Sequence, residues 1–171
     1  MTPPEMNYEY KKGVEVTMAR NVYLTHQTLS LKQARTIIEA AMAYAVAQAM
    51  NPITVTVMDT SGYPISCDRA DGCATLRLAV SHGKAKAALG YGLSSGTIGE
   101  RNQARPAFLS AVASASQGEF IPVAGGVLIL DEQELVIGAV GVSGDSSDND
   151  ERAAIAGIEA ASLKAGLAPK N

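Results

Sequence analysis

The 171-residue sequence predicts an α+β fold, an antiparallel sheet covered by helices. Two segments carry the period and the turn residues of β-hairpins: ITVTVMD, TSG, YPISCDR from Ile53, and GGVLIL, DEQ, ELVIGAVGVS from Gly125. Other segments carry helical spacing with recognisable ends. Their order is helix, hairpin, helices, hairpin, helix, which places strand pairs between helical layers.

Residues 1–28 stand apart as an N-terminal arm. They hold Pro3, Pro4, the paired Lys11 and Lys12 and a short candidate strand, Val14 to Met18. The predicted domain spans 29–171. Its first helix opens at Ser30, where Ser30 and Gln33 make a capping box and Leu29 can staple against Ala34. Asn51-Pro52 stops that helix near Met50. In the first hairpin Ile53, Val55 and Val57 alternate with Thr54 and Thr56.

A second helix is expected from Thr75 to about Leu89. Leu76, Ala79, Val80, Gly83 and Ala87 fall on one stripe, whose small residues at every fourth position would let the helix lie close on a sheet, and Leu78, Ala85 and Leu89 on another. A helix apolar on two sides needs two partners, and self-association through Leu78, Ala85 and Leu89 supplies the second. One or two short helices follow, with Pro106 suited to a first turn and Gly118 to an exit. The strands of the second hairpin are nearly all apolar and should lie centrally. The last helix is expected from about Asn149 to Ala165, closed by Gly166 and Pro169.

Composition limits the function. With 14 Lys+Arg against 17 Asp+Glu the net charge is -3, and no Lys/Arg run exceeds two, so nucleic acid is not an expected partner. No apolar run approaches the ~18 residues of a membrane span, and the reading is a cytoplasmic protein with no membrane partner. Cys67 and Cys73 lack CxxC spacing, and only His26 and His82 are present, too few for a multi-histidine metal site within one chain.

The stretch GAVGVSGDSSDNDERAA, from Gly138, runs from strand glycines into acids. Counted from Asp145 it lacks the glycine and glutamate of an EF-hand loop. Asp145, Asp148, Asp150 and Glu151 would repel a phosphate. It therefore reads as a helix start, capped by Asp148 with Glu151 or by Ser147 with Asp150. Gly138, Gly141 and Gly144 mark either a bulged strand under a helix or a place where a ligand or another backbone comes close.

VAGGVLIL, VIGAVGVSGDSSDNDE, the DTSG hairpin and GKAKAALGYG together resemble the GlcG/HbpS-like family over roughly Leu29 to Leu167. Ala124 stands where that family often has proline before the paired glycines. The resemblance implies a profilin-like α/β/α sandwich, assembled into dimers, tetramers or larger rings, and binding of haem or a related small ligand by some members; the ligands expected here are haem, another tetrapyrrole or a small catabolic acid. It also matches Lys84 to the family's Lys-Ala motif.

Several residues could carry chemistry. Lys84 and Lys86 either snorkel along the sheet edge or send an ammonium into a pocket beside Gly125, Gly126, Gly141 and Ser143 to receive a carboxylate. Arg69, Arg101 and Arg105 could join them in an anion site. His82 is an exposed helix histidine, a haem ligand at a subunit seam, or a general base. Glu119 and Glu100 are further proton-transfer candidates if partly buried. Two functions follow, a homo-oligomeric ligand-binding protein or a cofactor-free isomerase, tautomerase or lyase of a small carboxylic acid. A third is an accessory structural subunit.

Overall fold

A computed structural model describes Tyr23 and residues 25–169. The candidate strand at 14–18 lies outside the described residues. Ten elements follow in order: α1 Leu31–Ala47, β1 Thr54–Met58, β2 Pro64–Arg69, α2 Leu76–Tyr91, α3 Ser95–Arg101, α4 Pro106–Ala115, β3 Gly126–Leu130, β4 Val136–Ser143, α5 Ser147–Ala160 and β5 Lys164–Gly166. They build an α/β/α sandwich around one five-stranded antiparallel sheet of order β2-β1-β4-β3-β5.

The two hairpins form as their patterns predict, and one side-chain device closes both. Asp59 Oδ1 accepts from the N–H groups of Ser61 and Tyr63, and Asp131 Oδ1 accepts from those of Gln133 and Leu135. Both are aspartate-led turns, the side chain doing for the backbone what a turn bond does. β4 is the central strand, as its unbroken apolar run requires. One sheet face packs Val55, Val57, Val127, Ile129, Val140 and Val142 against Ile37, Ile38 and Ala41 of α1 and Ala153, Ala154 and Ile158 of α5.

α2 covers the opposite face. Ser81, Lys84, Ala85 and Ala88 turn toward the sheet, where Ala85 and Ala88 pack with Met58, Leu128 and Ala139. This corrects the stripes read from the sequence. Ala85 lies inside the protomer and Leu89 packs against the same cluster, so of the three proposed seam residues only Leu78 is exposed. Gly83 and Ala87 face a second cover, made by Ile121, Ile98 and Phe120. The reason is size: small residues let α2 approach the sheet, and the bulky apolar ones at its start reach past it.

The C-terminal segment differs as well. α5 stops at Ala160, Ser162 takes a left-handed φ of 58°, and the Leu163 N–H bonds back to the Ile158 carbonyl. That six-to-one bond ends a helix without glycine. Residues 164–166 then pair with β3 as an edge strand, so Gly166 sits in a strand. α5 is capped by Ser146, whose hydroxyl accepts from the Asn149 N–H, one residue before the earliest expected cap.

Candidate functional site

The sheet face beneath α2 is polar where the helix starts. Thr54 and Thr56 are fully buried, and Thr56 Oγ1 lies 2.9 Å from Ser81 Oγ, 3.2 Å from Cys67 Sγ and 3.4 Å from His82 Nδ1. His82 Nδ1 is also 3.2 Å from the Leu78 carbonyl oxygen. A carbonyl only accepts, so this bond assigns the proton to Nδ1 and leaves the lone pair on Nε2.

His82 lines a cleft of about 690 Å³ between the first half of α2 and the turn at Gln117, Gly118 and Glu119. Its apolar wall is unpaired within the protomer: Leu76 is 71% and Leu78 44% exposed. The cleft thus combines an oriented imidazole with an apolar wall, and Glu119 stands at its rim. A ring nitrogen whose partner nitrogen is fixed by a carbonyl is suited to ligate a metal or to take a proton.

Lys84 goes elsewhere. Its side chain is 2% exposed, and Nζ donates to the Val142 carbonyl at 3.0 Å and to Asp150 Oδ2 at 2.8 Å, Asp150 being 1% exposed. The ammonium does lie beside Gly125, where an added Cβ would stand 2.8 Å from Nζ. The carboxylate it receives is the protein's own. Burial pulls the Lys84 pKa down and pushes that of Asp150 up, and each is opposed by the hydrogen bond and charge of the other. Glu151 is held high by burial, and its Oε2 has no hydrogen-bond partner among the described residues.

Of the remaining predicted residues, Gly126 abuts the Lys84 backbone rather than its ammonium. The space over Gly126 and Gly141 is taken by the α2 backbone at Lys84 and Ser81, and Ser143 is buried, its hydroxyl 3.5 Å from Arg77 Nη1. Arg69 is exposed on edge strand β2, and Arg101 is exposed at the end of α3. Arg105, before α4, stacks its guanidinium 4.0 Å from the Phe108 ring centroid. Glu100 is exposed. Lys86 and Glu119 form a surface ion pair with each other. Asp150, Thr56 and Arg77 were not singled out as site residues in the sequence; the first reads there as a cap acid, and the other two carry no local motif.

Among the acids before α5, Asp145 is fixed on the outside. Oδ2 accepts from the Asn51 N–H at 2.7 Å, and Oδ1 from Asn149 Nδ2 at 2.7 Å and the Ser146 N–H at 2.8 Å. These bonds hold its pKa down to about 2. A carboxyl depressed in the folded state gives stability that is present above its unfolded value of about 4 and is lost as pH falls toward 2. Asp145→Ala should therefore lose stability at pH 7 and converge on the parent protein between pH 4 and pH 2. Urea midpoints across that range check this; a gap of constant size would mean that the charge contributes nothing.

The fold and cleft define a class, an α/β/α sandwich with a histidine-bearing groove along its second helix. The chain belongs to the family described as "Haem degrading protein HbpS-like", which it matches over residues 29–159. Solved structures agree on the fold. PduOC in complex with haem has a TM-score of 0.73 at 22% identity, covering 81% of this chain and 99% of that one. The Klebsiella pneumoniae protein ORFY has a TM-score of 0.72 at 25% identity over 85% and 98%, and HbpS one of 0.67 at 22% over 83% and 96%. No curated protein matches the chain. No helix among the described residues is long and apolar enough to cross a membrane.

Proposed function

We propose that the chain is a homo-oligomeric, cytoplasmic binding protein for haem or a related tetrapyrrole, held in the His82 cleft with Nε2 as the iron ligand. The observation that carries this is the pairing of an imidazole fixed through Nδ1 with the exposed Leu76 and Leu78 wall. Its volume lies within the ~300–1,000 Å³ usual for ligand sites. The haem bound by PduOC, a protein of the same fold, adds support. A tetrapyrrole has two apolar faces and this groove covers one, so a neighbouring copy would cover the other, with Leu78 at the seam.

An isomerase or lyase of small acids has less to rest on. Its carboxylate anchor, Lys84, is already paired and buried, and Arg69, Arg101 and Arg105 are exposed on the surface.

Haem titration followed by absorbance tests the reading. The intact protein should give a saturable Soret shift, and His82→Ala should weaken binding at least tenfold, the usual scale for a disturbed metal ligand set. An unchanged titration in His82→Ala removes the histidine from that role.

A further inference from the structure

We infer that Lys86 is the anion receptor of this cleft, held in reserve by Glu119, and that the cleft selects amphiphilic ligands bearing a carboxylate. The inference rests on the tetrapyrrole reading and extends it to the edge of the ligand. A second cleft of about 580 Å³ lies further along α2, between Ser61 and Gly62 of the β1–β2 turn, Tyr91, Phe120 and the end of α4. Glu119 lines both clefts, and Lys86 lines the second. The Lys86–Glu119 pair is therefore the boundary between them.

Lys86 follows His82 by four residues, so it stands one helical turn, about 6 Å, further along the same face. A porphyrin carries its carboxylates at the ring edge. With the ring centre at His82, that edge extends along α2 toward Lys86. Glu119 is 55% exposed, so its bond to Lys86 competes with water and is cheap to exchange. The incoming carboxylate arrives with an apolar ring that excludes water from the ammonium, and the same pair of charges is worth more in that drier setting. The cost of releasing Glu119 is small because its carboxylate turns into solvent. Esters and uncharged apolar molecules have nothing to exchange for it.

The probes are iron-free protoporphyrin IX and its dimethyl ester, titrated by porphyrin absorbance and fluorescence in one detergent-containing buffer. Neither needs an axial ligand, so the carboxylate is read apart from His82. Glu119→Gln should bind the diacid about two- to fivefold more tightly, the scale of a lost surface pair. Lys86→Gln should bind it more weakly, and Lys86→Arg should retain it. The ester should respond to none of the three. Circular dichroism checks that each variant is folded. An ester that follows the diacid, a Glu119→Gln protein that binds no better, or the absence of porphyrin binding overturns the inference. A haem response indifferent to His82→Ala, beside the expected diacid pattern, overturns iron ligation alone.

Discussion

Lys84→Met should destabilise the protein by about 3–5 kcal/mol at pH 7, the range for removing one partner of a buried ion pair. Methionine fills nearly the same length of space, so the loss comes from charge and hydrogen bonding more than from a cavity. What remains is the Asp150 carboxylate, 1% exposed, with the Asp145 N–H at 3.0 Å from Oδ1 and no cation on Oδ2. The Val142 carbonyl also loses its Nζ donor. In a chain of this size the melting temperature should fall on the order of 10 °C. Two controls isolate the charge. Lys84→Met with Asp150→Asn should recover part of the loss, because no unpaired charge stays buried. Lowering the pH should narrow the gap between Lys84→Met and the parent, since protonation neutralises Asp150, whose pKa is already pushed up by burial. A single variant within 1 kcal/mol of the parent at pH 7 would mean that Asp150 escapes to water.

That ion pair also marks where the sequence stopped being readable. The capping box at Ser30 and Gln33, the two hairpins and Pro106 at the start of α4 all depend on residues a few positions apart, and all form as expected. Lys84 and Asp150 are 66 positions apart, and neither carries a local sign of the other. Helical spacing finds the face with the largest side chains. On α2 that rule fails, because the face against the sheet is made of Ser81, Lys84, Ala85 and Ala88. Leu76 and Leu78, which the wheel assigns to opposite stripes, are both exposed beside His82. The usable signal was the match of small residues on two elements, glycines at 126 and 141 on the sheet and serine and alanines on the helix. The edge strand at 164–166 was hidden for another reason. Three residues show no period, and Gly166, the last of them, mimics a helix end.

Gly141→Ala should destabilise the protein by about 3 kcal/mol, the upper range for overpacking, and should weaken ligand binding in the same stroke. Gly141 lies in the central strand, and a Cβ there would overlap the Ser81 carbonyl oxygen and stand 2.8 Å from the Ser81 carbonyl carbon. Those are helix backbone atoms. They cannot rotate away, so α2 must lift or β4 must sink, and either motion disturbs the Ala85 and Ala88 contact with Met58 and Ala139. Ser81 is also the residue that ties α2 to Thr56, at 2.9 Å, immediately before His82. Lifting the helix here should break the Thr56 contacts and shift the imidazole relative to Glu119. Gly90→Ala is the matching control, since α2 has open space there and an added methyl meets nothing within 4 Å. Gly90 is the last residue but one of α2, so that exchange should stabilise by at most about 0.5 kcal/mol. Urea unfolding of the two variants, paired with haem titration, therefore separates close approach from helix propensity. If Gly141→Ala unfolded like the parent, α2 would not be seated on the strand, and the position of His82 over the cleft would need another explanation.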